Sequence, residues 1–191
     1  MIPSIPGKAA VLAALLGLAT AAGAQTAASA PANADNMMHK APGTLSNSDR
    51  KFVHEAAIGG MAEVEMGNLA QQKASSDAVK QFGQKMVTDH SKADDQLKQI
   101  ASSKGVQVPA SLDHKSQKEM DKLSKKSGAD FDKAYMSLMV DDHKKDVAEF
   151  KKESNAAKDP DVRNFATQTL PTLQEHLQLA QTTNDEVKKT K

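Results

Sequence analysis

Four stretches of helical periodicity each carry side chains able to bind a transition metal. The first stretch holds Glu63 and Glu65, and the later three hold His90, His143 and His176. Glu63 and each histidine fall on the face where apolar residues recur every three or four positions, so each is predicted to point into a helical core. A carboxylate and three imidazoles form a ligand set suited to iron, zinc, manganese or copper.

The spacing of these residues predicts that they meet at one depth. The turn between the first two helices centres near residue 75, which Glu63 precedes by 12 residues and His90 follows by 15. The turn between the last two long helices centres near residue 158, with His143 15 residues before it and His176 18 after it. All four side chains therefore fall near the middle of their helices and are expected to converge at the centre of a bundle.

The helices that would position these ligands have clear start and stop signals. Ala, Lys, Gln, Leu, Met and Glu are abundant, and these residues favour helices. Long helices are predicted from Ser46 or Ser48 to about Lys73, from a cap at Ser75 or Ser76 to Gly105, from about Asp130 to Asn155, and from Asp159-Pro160 onward, with a kink at Pro171. In the 106–128 connector, Ser111 is predicted to cap a short helix that Gly128 ends.

Together these elements predict an all-α domain over residues 46–188. It is an antiparallel four-helix bundle with a short connecting helix between helices 2 and 3. Because the connector is long enough to cross the bundle, the sequence leaves open whether helices 2 and 3 run parallel or antiparallel.

The same residues allow other interpretations of the site. One histidine per helix is also typical of a buried polar network in which each ring hydrogen-bonds to a nearby acid. Met86 and Met139 each stand four residues before a histidine, and thioether with imidazole suits Cu(I). A b-type haem held by Met and His is a more distant version of that hypothesis. Asp94, one turn after His90, could bridge to a metal or orient the histidine ring, but it is expected on an exposed face.

Composition excludes several other classes of site. The chain has no Cys, which rules out disulfides, thiolate zinc sites, iron–sulfur clusters and c-type haem attachment. Its 25 basic and 24 acidic side chains nearly cancel, so no net field favours nucleic acid. No HExxH, Gly-rich phosphate loop or serine nucleophile elbow is present in the sequence.

Residues 1–24 have the features of an export signal. Lys8 precedes an apolar stretch from Ala9 to Ala22, and Ala22-Gly23-Ala24 matches the small-x-small cleavage pattern. The apolar run is shorter than the roughly 20 residues that span a bilayer. We therefore expect a cleaved signal peptide over 1–24, a disordered tether over 25–45, and a mature chain without a transmembrane span. The expected location is the periplasm, with outer-membrane association as a variant.

Four ordered segments resemble one known family. They are AAIGGMAEVEMGNLA (56–70), QFGQKMVTDHSKADDQL (81–97), FDKAYMSLMVDDHKKDVAEF (131–150) and FATQTLPTLQEHLQLA (165–180), within a similarity that covers residues 48–188. The chain is similar to the domain of unknown function 4142 family of exported bacterial proteins. This resemblance implies a ferritin-like four-helix bundle without an established activity. The histidine motifs of the family match His90, His143 and His176, and its acidic motif matches Glu63 and Glu65.

The chain departs from the iron-binding pattern of the wider ferritin-like group. That group holds two irons with Glu-x-x-His on two helices. Here Val87 and Leu173 stand three residues before His90 and His176. The resemblance therefore does not carry ferroxidase activity to this chain.

Two functional hypotheses follow from the sequence. The first is a periplasmic ferritin-like bundle that binds a transition metal in metal handling or stress protection, through Glu63, His90, His143 and His176. The second is a non-catalytic envelope structural or interaction module with a buried His/Glu network. Such a module would meet an envelope protein or a second copy of itself through its tail or through the helix 1 face that carries Gly60 and Gly67. Neither hypothesis assigns a catalytic residue.

Overall fold

The computed structural model describes residues 44–189, which form five α-helices and no strand. The helices are α1 (Asn47–Lys73), α2 (Asp77–Ser103), α3 (His114–Ser124), α4 (Gly128–Ala156) and α5 (Pro160–Lys189). The predicted all-α bundle with a short connecting helix is confirmed. None of the helices in this part of the chain is both long and apolar enough to cross a membrane. The predicted signal peptide and the predicted tether up to residue 43 lie outside the described residues.

Two buried aspartates reveal the directions of the helices. Asp49, at the start of α1, accepts hydrogen bonds from two backbone N–H groups of the α4–α5 turn, at 3.1 and 3.0 Å. Asp132, at the start of α4, accepts from two backbone N–H groups and a hydroxyl of the α1–α2 turn. The two hairpins therefore place their turns at opposite ends of the bundle, so that α1 is antiparallel to α4 and α2 is antiparallel to α5.

This arrangement settles the relation that the sequence left open. Helices α2 and α4 run parallel, and the connection that contains α3 crosses the length of the bundle. Helix α3 packs against α1 and α4 during this crossing. A single long crossover between two antiparallel hairpins is one of the known connectivities of four-helix bundles.

The helix ends follow the predicted signals with two differences. The Ser46 hydroxyl accepts from the Asp49 backbone N–H at 3.1 Å, and Asp159 accepts from the N–H groups of the first turn of α5. The short helix is capped by Asp113 rather than Ser111, since a carboxylate there accepts the Ser116 N–H at 2.7 Å. Gly128, at φ 59°, begins α4 rather than ending α3.

A polar layer divides the core into two apolar clusters. The cluster towards the α1–α2 turn includes Met66, Phe82, Met86, Phe131, Tyr135, Met136 and Met139. The cluster towards the α4–α5 turn includes Leu45, Phe52, Val53, Leu97, Phe150, Phe165 and Leu173. Leu45, assigned to the tether by the sequence prediction, is 4% exposed and packs in this second cluster.

The glycines of α1 serve packing within the chain. A Cβ on Gly67 would lie 2.6 Å from the Gly83 carbonyl oxygen, and a Cβ on Gly60 would overlap the Asp94 carboxylate. Both glycines therefore allow α2 to approach α1 closely. The hypothesis that the Gly60 and Gly67 face meets a partner protein is wrong, because α2 covers that face.

Candidate metal centre

The structure brings together four of the five residues predicted as metal ligands. His143 and His176 are fully buried, and Glu63 and His90 are 4% and 7% exposed. One ring nitrogen from each histidine lies within 4.8 Å of the other two. The four residues come from four different long helices, so only the assembled bundle creates this cluster.

Hydrogen bonding fixes the proton position on His143. Its Nδ1 lies 2.9 Å from the Met139 carbonyl oxygen, one turn earlier in α4. A carbonyl oxygen can only accept, so Nδ1 carries the proton. In the neutral ring, Nε2 is then unprotonated and holds a lone pair.

The proton on His176 is fixed in the same way by a different partner. Its Nε2 donates to Asp89 Oδ2 at 2.8 Å, and that carboxylate also lies 3.1 Å from the Lys85 ammonium. Burial opposes ionisation of Asp89, but the bonds from His176 and Lys85 lower its pKa, so it stays charged and accepts only. His176 Nδ1 is therefore unprotonated when the ring is neutral.

The two unprotonated nitrogens face each other. His143 Nε2 lies 3.4 Å from His176 Nδ1. With both protons fixed on the opposite sides of the rings, neither nitrogen can donate to the other. This contact therefore joins two lone pairs, an arrangement that is favourable only when a proton or a cation lies between them.

His90 completes the ring of imidazoles and contacts Glu63. His90 Nδ1 lies 3.0 Å from Glu63 Oε2, and His143 Nδ1 lies 3.3 Å from Glu63 Oε1. His90 Nε2 and Glu63 Oε1 are buried without a hydrogen-bond partner. Buried polar atoms are seldom left unpaired, so these two atoms mark positions where a further group can bind.

Burial keeps the imidazoles neutral. It lowers the pKa of His143 to about 4, with the charge of His176 adding to the effect. It also lowers the pKa of His90 well below its usual value and lowers that of His176, for which the Asp89 carboxylate acts in the opposite direction. Neutral imidazole is the form that binds metals.

Carboxylates of α1, α2 and α4 lie near the histidines. Burial raises the pKa of Glu63 well above its usual range, and the neighbouring Asp146 and Asp142 charges add to this shift. Burial also raises the pKa of Asp94 to about 6 and, with the Asp142 charge, that of Asp146 to about 7. Ligand atoms of Glu63, His143 and Asp146 lie within 4.8 Å of one another. The site is therefore a histidine cluster bordered by partly protonated acids.

Other candidate residues lie outside the cluster. Glu65 is exposed on the opposite side of α1 from the core, and His54 and His114 are also exposed. Met86 and Met139 are buried in the apolar cluster towards the α1–α2 turn, which is the ordinary role of Met as a core residue. The Met139 backbone oxygen accepts a hydrogen bond from the site histidine His143.

Sequence reasoning missed two acids of the site. Asp146 stands three residues after His143 and thus shares its helix face, a local signal that could have identified it. Asp89 had no such signal, because its partner His176 lies 87 residues away in the chain. Asp94 was expected on an exposed face but is only partly exposed. Its carboxylate packs against Gly60.

The fold and the site define a helical bundle with a buried centre of histidines and carboxylates. A model of the family described as Domain of unknown function (DUF4142) matches residues 19–183, so this chain belongs to that family. No curated protein matches the chain.

Two solved structures share the fold. A DUF305 fragment from Deinococcus radiodurans is 13% identical with a TM-score of 0.66, over 75% of this chain and 99% of that one. CopM in an Ag-bound form is 16% identical with a TM-score of 0.58, over 70% of this chain and 93% of that one. At these identities the similarity establishes a shared helical-bundle fold.

Proposed function

We propose that this protein binds a transition-metal ion through His90, His143 and His176, with Glu63 as the adjoining carboxylate. The observation that carries the proposal is the 3.4 Å contact between two unprotonated nitrogens, His143 Nε2 and His176 Nδ1. A shared proton would make one ring cationic, and burial lowers the pKa of both rings. A metal cation is therefore the better occupant of this position.

The donor set fits the coordination chemistry of first-row transition metals. Metal–nitrogen bonds of about 2.0–2.1 Å place two ligands of a tetrahedral ion about 3.3–3.4 Å apart. The observed separation of 3.4 Å agrees with that spacing. Imidazole ligands suit zinc, copper, iron and nickel, whereas Mg²⁺ and Ca²⁺ prefer oxygen. We therefore expect Zn²⁺, Cu²⁺ and Co²⁺ to bind and the alkaline-earth ions not to bind.

The hydrogen bonds around the histidines support this proposal. Metal-binding histidines usually donate their second ring N–H to a carboxylate or a carbonyl, which orients the ring. Asp89 accepts from His176 and the Met139 carbonyl accepts from His143. The rings are thus already oriented in the absence of any ion.

A role in metal handling within the periplasm is consistent with these features. The expected signal peptide over 1–24 directs the chain out of the cytoplasm. CopM, which shares the fold, has been crystallised in an Ag-bound form.

Metal analysis of the untagged protein tests the proposal. The metal-free chain is titrated with Co²⁺, whose visible absorption reports tetrahedral coordination, and then with Zn²⁺ in competition. We expect one ion per chain for the wild type and a loss of binding for His143→Ala. His54→Ala, which removes an exposed histidine from α1, is the matched control and should bind as the wild type does. Equal and negligible binding by all three proteins would contradict the proposal.

A further inference from the structure

Two cavities meet at the wall between α1 and α4. The inner cavity has a volume of about 30 Å³ and reaches His90. This volume is enough for one water molecule or one metal ion. The outer groove has a volume of about 390 Å³ and lies between α1, α4 and the N-terminal part of α3. Both are lined by Glu55, Gly59, Glu63, Asp146 and Glu149.

The inner cavity ends at polar atoms that need a partner. Glu63 and His90 line it, and both residues are more than nine-tenths buried. Glu63 Oε1 and His90 Nε2 have no hydrogen-bond partner. An arriving ion would find both atoms without a competing hydrogen bond.

The lining of both cavities favours cations. Among the described residues that line the inner cavity there are five acids and no lysine or arginine. Two lysines reach the outer groove, Lys115 and Lys145, and the second is paired with Asp142 at 2.8 Å. Clefts lined by one sign of charge concentrate counter-ions and raise their rate of association.

Gly59 leaves the wall between the cavities open. A Cβ at this position would meet no atom within 4 Å, in contrast to Gly60 and Gly67, where it would collide with α2. Packing therefore does not require glycine at position 59. Glycine inside a helix is unfavourable relative to alanine, so its presence there calls for another reason.

We propose that the outer groove and the gap at Gly59 form the path by which a hydrated transition-metal cation reaches the histidine centre. The path rests on the proposed metal-binding function. Glu149 attracts the cation at the outer groove, where the neighbouring Glu55 is paired with Lys51 at 2.6 Å, and Glu63 passes the cation to His90. The acidic lining selects a free cation rather than a negatively charged metal chelate.

The rate of Co²⁺ uptake by the metal-free full-length chain tests this path. In stopped-flow mixing, Gly59→Leu fills the gap, so uptake then requires local opening of the bundle and slows by about tenfold or more. Gly59→Ala is the matched control and keeps the wild-type rate within about twofold, because a methyl group still leaves space. The equilibrium affinity of both variants for Co²⁺ stays at the wild-type value, since neither changes a ligand. Co²⁺ supplied as its citrate chelate is taken up more slowly than the free ion.

A charge variant gives a second measurement that does not depend on the folding of Gly59→Leu. Glu149→Gln lowers the uptake rate and reduces its dependence on ionic strength, because one attracting charge is lost. Ala93→Leu is the control for the route. It narrows the opposite side of the inner cavity, towards the groove between α2 and α5, and leaves the Co²⁺ uptake rate unchanged.

Three outcomes would overturn the path. They are a folded Gly59→Leu protein that takes up Co²⁺ at the wild-type rate, a slow rate in Ala93→Leu alone, and a Glu149→Gln rate equal to that of the wild type at all salt concentrations. Each of these leaves the proposed metal binding intact. A wild-type chain that takes up no Co²⁺ would instead overturn the proposed function and the path with it.

Discussion

Buried acids occupy two kinds of place in this molecule. At the ends of the bundle, Asp49 and Asp132 are 0% and 3% exposed, and each accepts two or three hydrogen bonds from the turn of the other hairpin. In the middle, Glu63 is similarly buried, but one of its oxygens has no partner and other acids surround it. The end acids are structural because their charge is satisfied within the chain. The middle acid is held at a cost to stability, which is typical of a binding site.

The largest effect is expected when an end acid is removed. Asp132→Ala leaves two backbone N–H groups and the Ser75 hydroxyl without their acceptor, so the free energy of unfolding should fall by about 3 kcal/mol. This corresponds to a decrease in Tm of about 10 °C for a chain of this size. Thermal unfolding followed by circular dichroism measures the change.

The control is Asp141→Ala, which removes an exposed acid from the same helix and should shift Tm by no more than about 1 °C. Co²⁺ affinity should be unchanged in both folded proteins. A wild-type Tm for Asp132→Ala would show that the acids at the ends of the bundle do not stabilise the fold in the way proposed.

A smaller effect is expected at the acid that orients His176. Asp89→Asn keeps the size of the side chain but removes its charge, so Nε2 of His176 is no longer held as a donor to a carboxylate. Loss of such a partner weakens metal binding by about 10-fold to 100-fold. Competition between Zn²⁺ and a chelator measures the affinity. Glu65→Gln, a similar change at an exposed acid on α1, should leave the affinity at the wild-type value; an equal loss in both variants would refute the role of Asp89.

The smallest effect is a gain in stability, expected when Asp146 is replaced. Burial first, and then the Asp142 charge, raise the pKa of Asp146 from 3.8 to about 7. The folded chain therefore holds a proton there between pH 3.8 and 7 that the unfolded chain has released, and stability is lost as the pH rises through this window. Above pH 7 the penalty applies, but solvent screening reduces it because Asp146 is partly exposed, so Asp146→Asn should raise the Tm of the metal-free protein at pH 8 by about 3 °C.

The gain should shrink as the pH falls from 7 towards 4, because the folded wild-type acid is then protonated and the unfolded acid, with its pKa of 3.8, is close to half protonated. Differential scanning calorimetry at pH 8, 6 and 4 follows this trend. A gain that is constant across this range would mean that the charge of Asp146 is not the cause. The same substitution at Asp132 should lower Tm at pH 8, since that acid is satisfied in the folded chain.

Local sequence signals predicted much of the fold. The Ser46 and Asp159-Pro160 signals set helix starts within a residue or two, because capping depends on atoms within one turn. The predicted cap at Ser111 was wrong by two residues, since a stronger acceptor, Asp113, stands nearby. Helix α5 is continuous through Pro171, as predicted, and the kink expected there stays a prediction.

The sequence by itself determined which faces of the helices are apolar and at which height Glu63, His90, His143 and His176 lie along them. Periodicity and distance from the turns depend on residues that are close in the chain, so they can be derived from the sequence without a structure. Only the tertiary structure decided that α2 and α4 run parallel, that Asp89 orients His176, and that two lone pairs face each other at 3.4 Å. These features depend on contacts between residues far apart in the chain, which arise when the two hairpins pack together.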